Sequence, residues 1–489
     1  MDNSRLLIYW ILAAPLFAVV LAFVLLLIPQ SIKEKLHYKQ SHLSWVTRLI
    51  AAISLISAIL LAAQTTDEPY TAKLFIVDLY LDALSIYFIV IVNIVAFFAS
   101  WYTANFLAHD ANFNPMYHQP EIFHLLFNLF HLTMLLVPMV DNLIILWMAI
   151  ELTTLASTLL VRYSRTRASI EASWKYIIIT TVGIIFALLG TIILALAVNN
   201  GLPQDTASNN YDLMNWSFLS NKENASQLAP SYLLFAFFLI MIGYGTKAGF
   251  APMHTWLPDG HGEAPFPVSA LLSGVLLKSA LYAILRFYTI VNLNDKIPDD
   301  LIHWLFMGIG LLSLLIATPF IVKTNKFKRV LAYHSLEHMG IIAFGIGIGT
   351  ELALFGALLH ALNHALTKAL MFLVYGKITQ NYEKENGGPL SDQQITGVLK
   401  KDRPFGFILL LGGLGLVGSP PANIFMSELI ILWAAISKFI NLNDKPQAWL
   451  IGFSVIIFVG ILATIFAGLV GHISRVLLGS SKTTQSKTG

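Results

Sequence analysis

Apolar runs of about twenty residues recur from one end of this chain to the other, and that is the length of helix needed to cross the hydrocarbon core of a bilayer. No other feature narrows the possible folds as much. Of the 489 residues, 56% are hydrophobic and 12% charged, and the mean hydropathy is +0.71. That is far from the composition of a soluble domain, so the solvent for most of the chain is lipid. The run at 6–28 is longer than the core of a signal peptide and lacks a small-residue cleavage site followed by a polar domain. It reads as the first span. The expected fold is an all-α polytopic membrane protein, with residues 1–489 forming a single transmembrane domain.

Thirteen spans can be counted, roughly at 6–28, 44–63, 79–106, 121–140, 142–161, 169–197, 231–257, 266–291, 301–322, 328–349, 351–377, 405–436 and 447–476. The weakest division is the one near Asp141. With the N-terminus outside, Lys33, Lys35, Lys39, Arg48, Arg162, Arg165, Arg167, Lys323, Lys326, Lys328 and Arg329 fall in cytoplasmic loops. The polar stretch at 378–403 and the tail with Arg475, Lys482 and Lys487 fall on the same side. This excess of basic residues predicts the N-terminus outside and the C-terminus in the cytoplasm. The expected location is the plasma (inner) membrane of a prokaryote, as a multi-pass protein. The stretches 199–230 and 378–403 read as connecting loops.

Two spans are interrupted. Pro252 follows Gly243, Gly245 and Gly249 in the seventh, and Gly418, Pro420 and Pro421 interrupt the twelfth, each break with an ionisable residue nearby, Lys247 and Glu428. A broken helix frees backbone groups that only protein or cavity water can satisfy, and two breaks five spans apart point to repeated halves with a pathway between them. The expected layout is N-terminal flanking helices at 1–107, a first helix-bundle repeat at 121–291 and a second at 301–476.

A charge at the centre of a membrane helix costs about 2.5–3.5 kcal/mol on insertion scales, so such residues face a partner or water and mark transport paths. Lys175, Lys247, Lys278, Arg286 and Lys368 are the basic residues not placed in loops, and Glu151 and Glu428 read as the deepest carboxylates. For Lys175 and Arg286, near span ends, a structural ion pair is an equal reading. Burial brings a lysine into the range where it exchanges protons, and a nearby carboxylate opposes that, so a Glu–Lys pair of changing separation can load and release a proton. Glu151 with Lys247 is the candidate pair. His360, His364 and Lys368 are spaced i, i+4, i+8 and share one helix face, where neutral histidine can accept and donate.

Other chemistries are weaker. A zinc site from His360 and His364 lacks a third ligand in the motif, and Lys368 would repel the ion. His334, Glu337 and His338 fit H-x-x-E-H, but the motif opens a membrane span with no soluble catalytic domain around it. Gly413, Gly415 and Gly418 fit G-x-G-x-x-G inside an apolar helix with no preceding strand, where close helix packing explains them better. No P-loop string marks ATP hydrolysis. The absence of cysteine excludes disulfides and thiolate-held iron–sulfur clusters, so electron transfer by that route has to lie on another chain. No catalytic residue, cofactor, metal or nucleic-acid partner is expected on this chain.

The stretches WMAIELTTLAS (147–157), GTKAGFAPMHTWLPDGHGEAPFPVSALLSGVLLKSALY (245–282), LAYHSLEHMG (331–340), LLHALNHALTKALMF (358–372) and GSPPANIFMSEL (418–429) resemble the antiporter-like subunits of respiratory complex I, membrane-bound nickel–iron hydrogenases and Mrp-type cation/proton antiporters. SIEASWKYIIITTVG (169–183) is most similar to the hydrogenase-4 component F type. By that resemblance Glu151, Lys247, Lys278, His338, His360, His364, Lys368 and Glu428 line a proton pathway, and Pro252 and Pro420 stand at its helix breaks. The resemblance further implies two inverted five-helix bundles with flanking helices, within a total of about 13–14. It implies proton translocation as a subunit of a redox-driven complex, with other membrane subunits and a peripheral redox arm as partners. A sodium/proton antiporter subunit and a membrane subunit of an inorganic-carbon uptake complex are the alternatives it leaves open.

Overall fold

The structure is a computed structural model that describes residues 3–35, 40–65, 68–74, 76–113, 119–203, 211–442 and 446–479. Lys39, Lys482 and Lys487, which entered the charge asymmetry, lie outside the described residues. Eleven helices among the described residues are long and apolar enough to cross a membrane, with two shorter apolar helices beside them. The chain is an all-α polytopic membrane protein.

It divides into two compact units, Met1–Leu305 and Phe306–Gly489. The first contains α1 (Asn3–Leu27), α2 (Gln40–Ala63), α3 (Ala83–Phe113), α4 (Pro120–Leu136), α5 (Leu143–Val161), α6 (Arg167–Gly201), α7 (Pro230–Ala248) and α8 (Leu277–Asn292). Next comes α9 (Asp299–Lys323), whose larger part belongs to the second unit, followed by α10 (Phe327–Ile348), α11 (Glu351–Asn386), α12 (Arg403–Leu416), α13 (Asn423–Asn441) and α14 (Pro446–Leu478).

The third span does not start at 79. Residues Tyr70–Leu74 and Val77–Leu81 form an antiparallel hairpin, β1 and β2, pairing Tyr70 with Leu81 and Leu74 with Val77. The stretch Val77-Asp-Leu-Tyr-Leu81 buries Leu79 and Leu81, which is the period of a strand. Asp82 then accepts the Ser85 amide (2.8 Å), and α3 begins there. The doubtful division near Asp141 falls at residues 137–142: α4 ends at Leu136, and Asn142 caps α5 by accepting the Ile144 amide (3.0 Å).

The described parts of the two polar stretches contain helical turns, and 204–210 lie outside the described residues. Helix α6 runs on to Gly201, and short helical turns at Trp216–Leu219 and Lys222–Gln227 follow. The first is tied down by Asp141, whose carboxylate accepts the Ser217 amide (2.8 Å) and hydroxyl (2.6 Å), and the second by Asn294, whose Nδ2 donates to Ala225 O (2.8 Å). On the other stretch α11 extends to Asn386, well past the expected 377, and a capping-box turn covers Asp392–Gln394.

Both helix breaks have the same backbone construction. Gly249, at φ +80°, donates its amide to Thr246 O (3.2 Å), and Phe250 donates to Gly245 O (2.9 Å). Gly418, at φ +67°, donates to Gly415 O (3.2 Å), and Ser419 donates to Leu414 O (3.0 Å). These are Schellman closures, which need a left-handed residue that glycine supplies without a Cβ penalty. A cis peptide follows at the same offset in each, Ala251–Pro252 and Pro420–Pro421. The freed backbone is re-satisfied inside the protein: Trp256 Nε1 donates to Thr246 O (2.8 Å). The expected seventh span thus ends at Ala248, with Leu257–Glu263 as a separate short helix, and the expected twelfth is two helices, α12 and α13.

Helix α10 is 22 residues long yet does not count as a span by composition, because His334, Glu337 and His338 interrupt its apolar sequence. Almost every residue along it is buried. A helix walled by protein can carry such groups where a lipid-facing helix cannot.

Candidate functional site

In the first unit, Glu151 on α5 is half-buried and Lys247, in the last turn of α7, is 1% exposed. The Lys247 ammonium donates to the Thr154 hydroxyl and to Ile150 O (3.2 Å), both on α5. Thr154 Oγ1 donates in turn to Glu151 Oε2 (3.3 Å), and Thr181 Oγ1 on α6 donates to Glu151 Oε1 (3.2 Å). The expected Glu151–Lys247 pair is therefore joined through Thr154. Glu151 and Thr154 are i, i+3 on one helix face, and the ammonium docks on the threonine side of that turn. A hydroxyl both donates and accepts, so it can pass a proton between the two charges as well as hold them apart.

Lys278 is buried in the first turn of α8, just past a π-helical stretch at Leu272–Leu276. Its ammonium donates to Ser273 O (2.7 Å). Wide turns of this kind leave carbonyls without their usual partner, and here the lysine takes one.

Two basic residues have other roles. Lys175 is exposed and paired with Glu171 (2.6 Å) and Asp259 (3.1 Å), a surface ion pair. Arg286 is 2% exposed, with its guanidinium forked onto Asp82 (2.6 and 2.7 Å). It also donates to Tyr282 OH (2.8 Å) and Ser85 Oγ (2.8 Å), and lies over the Trp216 ring at 4.4 Å. It is a clamp holding α8, the start of α3 and the 211–219 segment together.

The second unit gathers its polar groups at the meeting of α10, α11 and α13. His338 Nδ1 and His360 Nε2 share a hydrogen bond (3.0 Å), and His360 Nδ1 is bonded to Ser427 Oγ (3.0 Å). The His338 and His364 rings lie 4.6 Å apart. Lys368 donates to Leu331 O on α10, and His334 Nδ1 contacts the Glu337 carboxylate. Glu428, ten residues past Gly418, folds back onto the break, where a Cβ on Gly418 would collide with its carboxylate. His338, His360 and Glu428 each bring a donor atom within 4.8 Å of the others, as do His334, Glu337 and His338. A metal ion could use either set, though at the first it would displace the proton shared by His338 and His360.

The membrane-domain model described as NADH:quinone oxidoreductase/Mrp antiporter, TM matches residues 140–473. The chain belongs to that family. Among the relatives of this family member, a hydrogenase-4 component F homolog of Methylacidiphilum infernorum is 36% identical over 81% of this chain and 79% of the relative. Hydrogenase-4 component B of Escherichia coli is 28% identical over 72% of this chain and 50% of the relative. Subunit A1 of a sodium/proton antiporter of Staphylococcus aureus is 29% identical over 80% of this chain and 48% of the relative. The chain thus spans about half the length of the latter two. Its fold matches the Mrp complex of Dietzia sp., with a TM-score of 0.77 at 18% identity over 98% of this chain and 81% of the matched one. It also matches the archaeal membrane-bound sulfane sulfur reductase, with a TM-score of 0.75 at 22% identity over 98% of this chain and 90% of the matched one.

Each unit of this family member brings together part of the expected residue set: Glu151 with Lys247 in the first, and His338, His360, His364 and Glu428 in the second. One residue was passed over. Glu337 is 3% exposed, more deeply buried than Glu428 at 9% or the half-buried Glu151, so Glu151 and Glu428 are not the deepest carboxylates. Its signal is in the sequence, a carboxylate one helical turn after His334 within the largely apolar run 330–348, inside the H-x-x-E-H string.

Proposed function

We propose that this chain translocates protons across the plasma membrane as an antiporter-like subunit of a redox-driven complex, with other membrane subunits and a peripheral redox arm on separate chains. The observation that carries the reading is Lys247: a fully buried ammonium at the end of a broken helix, linked to the Glu151 carboxylate through a single hydroxyl. Such a group is costly in a membrane, and ionisable residues kept there at that cost mark ion paths and proton relays. Glu151, Lys247 and Lys278 form the half of the pathway in the first unit. His338, His360, His364, Lys368 and Glu428 form the half in the second, with Glu337 added to them. The matching closures at Gly249 and Gly418 support two repeated halves, each opened by a broken helix at Pro252 and at Pro420.

Relatives named as hydrogenase-4 components favour a redox partner. The relative named as a subunit of a sodium/proton antiporter keeps sodium exchange as a second reading. Inverted vesicles carrying the assembled complex, driven by the electron donor of the redox arm, are expected to take up protons at the same rate with and without sodium. Strict dependence on sodium, or sodium/proton exchange by the isolated chain, would replace the first reading with the second.

The orientation follows from charge: Arg162, Arg165 and Arg167 face the cytoplasm, and the 211–230 segment faces out. These sites lie at opposite ends of α6, whose 35 residues span about 52 Å at 1.5 Å per residue. The chain has no native cysteine, so single cysteines at Ser164 and Asn221 give a clean test. The first should react with an impermeant thiol reagent only from the cytoplasmic side and the second only from outside; labelling of both from one side would redraw the map.

A further inference from the structure

A second column of buried polar groups runs through the first unit, on helices that the pathway above does not use. It starts at the membrane-surface end of α4, where Lys33 pairs with Glu121 (2.9 Å). His124 follows, its Nε2 bonded to Ser44 Oγ (3.0 Å) and its Nδ1 to Thr47 Oγ1 (3.0 Å), both on α2. Asn128 donates to Thr47 Oγ1 (3.2 Å), and His131 Nε2 is bonded to Asn93 Oδ1 (3.1 Å) on α3. Glu121, His124, Asn128 and His131 fall at i, i+3, i+7, i+10 along one face of α4. The six interior members, Ser44, Thr47, Asn93, His124, Asn128 and His131, are each at most 3% exposed.

We infer that this column is a proton supply route, resting on the proton-translocating function proposed above, that carries protons from the Lys33–Glu121 face toward the π-turned segment before Lys278. Three features argue for it. A single serine donating to a backbone carbonyl of the next helix suffices to tie two apolar spans together, as Ser54 on α2 does to Ile11 O on α1; two buried histidines on one face exceed that need. His124 has a hydroxyl on each ring nitrogen, so it can receive a proton on one side and release one on the other by exchanging tautomers. The column also leads somewhere useful: α3, which carries Asn93, packs against the segment Phe266–Leu276 immediately before Lys278. The supply route loads Lys278, and the Glu151–Lys247 switch governs when that proton moves on.

The test uses the assembled complex in vesicles and the variants His124→Gln and His131→Gln, which keep a hydrogen-bonding side chain but cannot take up a proton. Proton uptake per assembled complex is expected to fall about tenfold or more, with electron-transfer activity of the redox arm retained. Thr47→Val, nearly isosteric, removes one of the two hydroxyls on His124 and should fall in the same way, which guards against a glutamine variant that fails to assemble. Uptake at the normal rate in an assembled His131→Gln complex overturns the supply route. So does reduced assembly with normal uptake per complex, since that result makes the column structural. Glu151→Gln measured in parallel separates the two ideas: if it too pumps normally, the proton-translocating reading itself fails, whereas if it alone is impaired only the supply route falls.

Discussion

Lys247→Arg is expected to assemble normally and to pump almost no protons. The Lys247 ammonium is fully buried at the end of α7, where its hydrogen bonds run to Thr154 and Ile150 on α5. In the proposed switch that ammonium gives up its proton in each cycle, and the Glu151 carboxylate beyond Thr154 opposes the release. A guanidinium stays protonated at any relevant pH, so arginine keeps the charge and loses the exchange. Glu151→Gln removes the group that holds the proton on Lys247, and uptake should fall by about a hundredfold, the lower range for loss of a positioned acid–base group. Glu151→Asp keeps a carboxylate and should retain part of the rate. Thr154→Val tests the link itself and should lie between the two. Uptake is measured in vesicles and normalised to assembled complex; a well-assembled Lys247→Arg variant pumping at the normal rate would show that the pair is merely structural.

The opposite pattern is expected at Arg286. Its guanidinium is forked onto Asp82 and also bonded to Tyr282 and Ser85, over the face of Trp216. Breaking a buried pair by removing one partner costs about 3–5 kcal/mol, and because Asp82 keeps some contact with water the lower figure, about 3 kcal/mol, is the better guide. Arg286→Ala should therefore lower the amount of assembled protein severalfold and lower its melting temperature in detergent. Proton uptake per surviving complex should stay close to normal. Arg286→Lys keeps the charge but cannot fork onto both carboxylate oxygens, so it should recover only part of the lost stability. An alanine variant that assembled fully and stopped pumping would move Arg286 from the scaffold to the pathway.

These two residues show where sequence reading ends. Both are basic groups in apolar helices, and hydropathy treats them alike. Lys247 could be singled out because Gly249 and Pro252 follow it at once, and a broken helix is a local signal. Arg286 has no such signal, since its partners Asp82, Ser85 and Trp216 lie some seventy to two hundred residues away in the sequence.

The sequence by itself determined that the chain is a multi-span helical membrane protein, approximately where its spans lie, and that two of them are broken near ionisable residues. Those properties depend on runs of neighbouring residues, on apolar length and on the backbone demands of glycine and proline, so they are written locally. The hairpin at 70–81 was hidden because Val77, Leu79 and Leu81 continue directly into the apolar sequence of α3, and only pairing with β1 marks them as strand. Tertiary structure alone decided that Thr154 stands between Glu151 and Lys247, that His338 reaches His360 and Glu428 reaches back to Gly418, and that Glu337 is among the most deeply buried carboxylates. Each of those facts depends on which faces of separate helices meet, and hydrophobic periodicity says which face is buried without saying against what.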